Sequence, residues 1–334
     1  MKINDFLKIL YLNIKIQRMI IIKFEIGTKE NPRHICGVSG GKDSSALAIH
    51  IKNKYPEIFD KVEFFFTDTG AELPEVYECL DRLEKYLDKK ILRLKADPTI
   101  AEKFKVVEQD DDSNPFEDLL KQYNGYLPAP NARWCTRTMK LQPLEKWIGS
   151  DHCVSYVGIR ADEDREGYNS SKSKSKNIES RFLFQEDNLR LKDIYETLEM
   201  TVGLPEYYKW RTRSGCFFCF YQRRVEWAIL SLIYPDWFKE SAKYETEHAD
   251  GRKFTWIKNK PLEYIENNAK DIIIRYIKKQ YKKAENRCDF IHSPEEMIHM
   301  VQNNEIKKLL DSWDMKRLHD VDGENKEGCT ICAI

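Results

Sequence analysis

The feature that most limits the fold is an alternation that begins near Arg33. HICGVS (34–39), VEFFFTD (62–68), KILRLKA (90–96) and CVSYVGIR (153–160) are short, apolar and rich in β-branched or aromatic residues. That is the composition of strands buried on both faces of a parallel sheet. Between the first three lie SSALAIHIKNKY and PEVYECLDRLEKYL; in the second, Val76, Leu80, Leu83 and Leu87 recur at the spacing of a helix with one apolar face. The repetition predicts a doubly wound α/β fold with a mainly parallel sheet, whose ligands bind beyond the carboxyl ends of the strands. Each polar motif considered below follows such a strand end.

After Pro205 the pattern changes. VEWAILSLIYPDWFKESAKYETEH and DIIIRYIKKQYKKAENR predict helices, with no further parallel strand. The chain therefore divides into an N-terminal extension (1–30), an α/β part (31–204) and a helical, cysteine-containing part (205–334). The polar, basic SSKSKSKN (170–177) is predicted to be a surface loop. The N-terminal KILYLNIKIQRMIIIKF is interrupted by Lys8, Lys15, Arg18 and Lys23, well short of the ~20 apolar residues of a membrane span. It is expected to pack on the core, with no membrane partner. Lys plus Arg and Asp plus Glu both number 55, so any affinity for a polyanion must come from a local patch. Nine cysteines with no signal segment predict the reducing cytoplasm, where clustered thiols serve metal or redox chemistry more often than disulfides.

The turn between the first strand and the first helix reads SGGKDSS, Ser39 to Ser45. A glycine-rich turn opening a helix offers unpaired N–H groups and the positive end of the helix dipole to an anion. Asp68 and Gly70 end the second strand. Further on, Arg133, Cys135, Arg137 and Lys140 fall within eight positions, and Gly158, Arg160, Glu163 and Arg165 follow the fourth strand. Basic residues at strand ends suit a polyanionic ligand, while arginines beside acids also form ordinary surface ion pairs.

SGGKDS lacks the spacing of a Walker loop. It resembles the PP-loop of the ATP pyrophosphatase (adenine nucleotide α-hydrolase) superfamily, pattern SGGxDS, with Ser39, Gly40, Gly41, Asp43 and Ser44 at the fixed positions. With WCTRTMKLQPLEKWI and GIRADEDR, the stretch from about 33 to 222 resembles the phosphoadenosine phosphosulfate (PAPS) reductase family, and within it the DndC-like branch, the PP-loop proteins of DNA phosphorothioation. The resemblance implies binding of ATP and Mg²⁺ by Ser39, Gly40, Gly41, Asp43, Ser44, Ser45, Asp68, Arg137, Gly158 and Arg165, with Lys42, Asp43, Lys140 and Arg160 at the chemistry. Reductases of sulfonucleotides proper usually have an altered loop; the intact SGGKDS implies ATP turnover.

RTRSGCFFCFYQRR places Cys216 and Cys219 after an interval of 80 residues from Cys135. That interval resembles adenylylsulfate reductases, in which a Cys-Cys pair and a later C-x-x-C hold a [4Fe–4S] cluster. Here the first cysteine of the pair is Trp134. The resemblance implies a cluster, or zinc in its place, on Cys135, Cys216 and Cys219, with Cys288 or the terminal Cys329 and Cys332 as a fourth ligand. Cys36, Cys79 and Cys153 are expected to be buried apolar residues.

The function so implied is an adenylating, AMP-forming sulfurtransferase, drawing sulfur from sulfide or a cysteine desulfurase. Its acceptor could be DNA or tRNA, on a basic surface made by Arg211, Arg213, Arg223, Arg224 and the helix spanning 275–283. The alternatives are a reductase or activator of a small sulfonucleotide, and a noncatalytic nucleotide sensor in a multi-protein defence complex.

Overall fold

The computed structural model describes residues 27–99, 104–107, 114–163, 177–213, 215–247, 251, 253–284 and 290–320. Its centre is a six-stranded sheet made of β1 (Arg33–Gly37), β2 (Val62–Asp68), β3 (Ile91–Ala96), β4 (Phe104–Val107), β5 (Cys153–Tyr156) and β6 (Ile178–Arg181), in the order β4-β3-β2-β1-β5-β6. All neighbours run parallel except β4, which closes one edge antiparallel to β3. The fold class is thus the expected one. The two edge strands, FKVV and IESR, were not legible as strands because an edge strand needs no apolar face on both sides.

The period of two along each strand sorts the core into layers. Ile35, Phe65 and Leu94 point to one face and pack on Leu144, Trp147 and Ile148, which lie on α3 (Gln142–Ile148). Cys36, Phe64 and Phe66 point to the other. There they meet α1 (Lys42–Lys54) and α2 (Pro74–Leu87), the latter through Val76, Leu80, Leu83 and Leu87. Burying each phenylalanine of VEFFFTD contributes about 1.5–3 kcal/mol. Cys36, Cys79 and Cys153 are buried, as expected of apolar residues.

The remaining helices include α4 (Leu191–Glu199), α5 (Arg224–Ile233), α6 (Ala269–Ala284), α7 (Pro294–Gln302) and α8 (Asp314–Asp320). Helix α5, with Trp227 fully buried, packs on α6, and α6 packs on α7. The hydrophobic cluster that fills this part is continuous with the α1–α2 face of the sheet, reaching from Cys36 to Leu318. After Pro205 the only strands among the described residues are the two-residue antiparallel pair Thr246–Glu247 and Lys253–Phe254. No described helix is long and apolar enough to cross a membrane. The expected packing of the N-terminal run, and the loop 170–176, lie outside the described residues.

Candidate functional site

Strand order reverses at β1, with β2 on one side and β5 on the other. A doubly wound sheet opens a crevice at such a point, and the loops after β1 and β5 line it. The loop after β1 is Val38 to Gly41. Gly40 is left-handed at φ 66°, and a Cβ there would lie 2.7 Å from Val76 Cγ1 on α2, so the turn admits only glycine. Helix α1 follows from Lys42 with no side-chain cap. The Ser39 and Ser44 hydroxyls lie 3.0 Å apart, and Ser44 Oγ also accepts the Ser39 N–H at 3.0 Å. Two hydroxyls therefore converge over the start of the helix.

Asp43 and Arg160 join the loops across the crevice. Arg160 Nη1 donates to Asp43 Oδ1 at 2.7 Å, and Lys42 Nζ donates to Asp43 Oδ2 at 3.1 Å. Burial alone would raise the Asp43 carboxyl, but the charges of Lys42 and Arg160 outweigh it and hold the group below the usual carboxylate range. Arg160 is itself buried and shared with Asp162 at 2.9 Å and Glu163 at 2.8 Å. Gly158 lets the β5 loop approach: a Cβ there would sit 3.1 Å from the Asp43 carbonyl oxygen. Five of the expected residues, Ser39, Ser44, Lys42, Asp43 and Arg160, thus form one unit with Gly40, Gly41 and Gly158.

A third segment, which sequence reasoning missed, completes this unit. Tyr207 and Tyr208, on the 3-10 turn Glu206–Lys209, are buried against the loop. Tyr208 OH accepts the Lys42 N–H at 3.1 Å and lies 3.2 Å from where a Cβ on Gly41 would be. Tyr207 OH points to the Gly40 carbonyl at 3.5 Å, and the two rings pack with centroids 4.5 Å apart. Nothing in the spacing of LPEYYKW reveals a partner 166 residues away.

The cysteines gather beyond β2. Leu73 N–H donates to the Gly215 carbonyl at 2.7 Å and Phe217 N–H to the Ala71 carbonyl at 2.9 Å. These bonds bracket Glu72 and Cys216 as an antiparallel pair, so both side chains stand on the same face of the ribbon. Glu72 is buried; its Oε1 accepts the Thr69 hydroxyl at 2.8 Å and lies 3.9 Å from Lys140 Nζ. Lys140 comes from a π turn, Arg137–Leu141, leading into α3. Burial raises the Glu72 carboxyl, against the pull of Lys140. Burial, then the charges of Glu72 and of Cys219, raise the Cys216 thiol well above its ordinary range, with Cys135 adding to the same effect. Cys135 and the C-x-x-C therefore share one neighbourhood, and none of the three is in a disulfide.

Among the described residues no three His, Cys, Asp or Glu side chains are gathered as a metal ion requires, and the expected fourth ligand, Cys288, lies outside the described residues, as do Cys329, Cys332 and Arg165.

Other expected residues stand apart. Ser45 is a correction: it is fully buried, its Oγ 3.8 Å from Cys79 Sγ, because the second serine of the pair falls on the face of α1 that packs on α2. Asp68 is buried at the end of β2, where its carboxylate accepts from Gly70 N–H at 2.8 Å and Tyr77 OH at 2.9 Å, with Lys95 Nζ at 3.7 Å. Arg137 is exposed and paired with Glu145 of α3 at 2.6 Å. The basic surface also needs correcting. Arg211 is buried, donating to the Cys216 carbonyl at 3.0 Å, and Arg223 is drawn to Tyr276 and His319. Arg224 and, on α6, Arg275, Lys278, Lys279 and Lys282 are exposed.

Among known proteins, the chain is 28% identical over 235 residues to an uncharacterized protein of Methanocaldococcus jannaschii, covering 66% of this chain and 43% of that one. It is 29% identical over 262 residues to an uncharacterized 37.8 kDa protein of Escherichia phage 186, covering 65% and 75%. A second uncharacterized M. jannaschii protein is 24% identical over 212 residues, covering 60% and 45%; the chain spans less than half the length of either archaeal relative. Of solved structures, a phosphate complex of PAPS reductase from Candida auris aligns with a TM-score of 0.35 at 15% identity, over 56% of this chain and 77% of that one. Residues 33–182 match the model of the phosphoadenosine phosphosulfate reductase domain, a span that opens with the first residue of β1 and closes just past β6.

Proposed function

We propose that this chain is an AMP-forming enzyme of the DndC-like type, which cuts ATP at the α-phosphorus to adenylate an acceptor that then takes sulfur. The observation that carries the reading is the unaltered SGGKDS loop, with the Ser39 and Ser44 hydroxyls 3.0 Å apart over the start of α1 and Asp43 clamped by Arg160. The loop would hold the β,γ-pyrophosphate through the two hydroxyls and the first N–H groups of the helix. Arg160 keeps Asp43 ionised and ties the loop to β5, so the phosphate chain meets a prearranged surface. An acceptor oxygen attacks the α-phosphorus, and pyrophosphate leaves with the electron pair of the bridging oxygen. Sulfide would then displace AMP, which leaves with the acceptor oxygen; a persulfide from a cysteine desulfurase would do so through a disulfide to the acceptor that a further thiol then reduces.

The acceptor we propose is a nucleic acid. Support comes from α6, where Arg275, Lys278, Lys279 and Lys282 are exposed at the spacing of one helical face, a form suited to a phosphate backbone.

The test is the product of ATP cleavage by the purified chain. AMP and pyrophosphate are expected, with rates falling at least about tenfold in Ser39→Ala and Asp43→Asn. ADP and orthophosphate as products would overturn the assignment.

A further inference from the structure

We infer that Tyr208 is a residue of the phosphate site, its hydroxyl standing in for an oxygen of the bound phosphate and giving way when the phosphate arrives. The inference rests on the proposed phosphate role of the loop and adds to it a segment from the helical part.

The first N–H groups of a helix have no partner within the helix, and these are the groups that bind an anion. Helix α1 is uncapped by any side chain of its own. One of its N–H groups, that of Lys42, is nonetheless satisfied, by Tyr208 OH at 3.1 Å from a segment 166 residues away. Beside it, the Tyr207 hydroxyl points to the Gly40 carbonyl at 3.5 Å. The two phenols thus meet the peptide groups on either side of Gly41. Both rings are buried, with centroids 4.5 Å apart, and Lys42 Nζ lies 5.7 Å above the Tyr208 ring. The contact is a packed one.

A neutral phenol oxygen is a weaker acceptor than an anionic phosphate oxygen, whose charge-assisted bonds are roughly twice as strong. Phosphate therefore outcompetes the phenol for the Lys42 N–H, and the ligand-free loop is kept from exposing a bare donor meanwhile. No covalent change is involved. Displacing Tyr208 moves the 3-10 turn Glu206–Lys209, from which the chain runs through Arg211 directly to Cys216.

The experiment measures binding of inorganic pyrophosphate to the full chain by titration calorimetry in wild type, Tyr208→Phe and Tyr207→Phe, each checked for native circular dichroism. Phenylalanine keeps the ring and removes only the competing hydroxyl. Tyr208→Phe is expected to bind about two- to tenfold more tightly, the span of one neutral hydrogen bond. Tyr207→Phe, which leaves the Lys42 bond in place, should stay within about twofold of wild type. Unchanged or weaker binding in Tyr208→Phe, with wild type binding normally, overturns the inference alone. If wild type binds no pyrophosphate, the phosphate reading of the loop fails and the inference falls with it.

Discussion

Asp187 is held by three donors: His50 at 2.6 Å, Tyr55 OH at 2.8 Å, and Lys54. Burial alone would raise its carboxyl, yet the hydrogen bonds from Lys54, His50 and Tyr55 bring it down to about 2. Because the folded value lies below the ordinary ~3.9 of an unfolded aspartate, its stabilisation is complete above about pH 4 and is lost as pH falls toward 2. Asp187→Asn should therefore cost about 1–2 kcal/mol at pH 7, discounted for the half-exposed Lys54, and should flatten the stability profile between pH 4 and 2. Urea denaturation across that range checks it; an unchanged slope would mean that the contacts are not coupled to folding. The sequence reading singled out neither Asp187 nor Tyr208, because each owes its role to partners more than 100 residues distant. The loop residues were legible because Ser39, Gly40, Gly41, Asp43 and Ser44 act together within six positions.

Among the elements, Val76 is the hinge pin of the site. A Cβ on Gly40 would lie 2.7 Å from its Cγ1, and one on Gly215 would lie 2.0 Å from its Cγ2. Helix α2 thus seats the glycine loop on one side of one side chain and the cysteine turn on the other. Gly215→Ala should force the turn off α2, at a cost of about 1–3 kcal/mol. Hydrogen exchange is expected to rise across 215–219 and 71–73, where the Leu73 to Gly215 and Phe217 to Ala71 bonds join the two segments. Strands β1 and β2 should change much less. Equal exchange in the turn of variant and wild type would show that the ribbon tolerates the methyl group.

Across the whole molecule, one hydrophobic cluster joins the α1–α2 face of the sheet to the helical part, from Cys36 and Phe64 through Trp227 to Leu318. Apolar surface shared in this way cannot be exposed on one side without being exposed on the other. Thermal unfolding followed by calorimetry should therefore show a single transition, and destabilising Trp227→Ala in the helical part should lower it as a whole. Two separated transitions would show that the parts fold independently.

What the sequence determined by itself is local. Strands buried on both faces must be apolar along their whole length, so four of the six strands could be read from composition. A glycine turn that opens a helix must show its glycines in a row, so the loop was readable too. Edge strands such as IESR, half exposed, carry no such mark. Only the tertiary structure decided which arginine meets Asp43, that Arg211 is buried and not on the surface, that Ser45 faces Cys79, and that a tyrosine from the helical part rests on the glycine loop. Hydrogen bonds and charge pairs depend on distance in space, and the crossovers of a doubly wound sheet bring together residues whose separation along the chain says nothing about it.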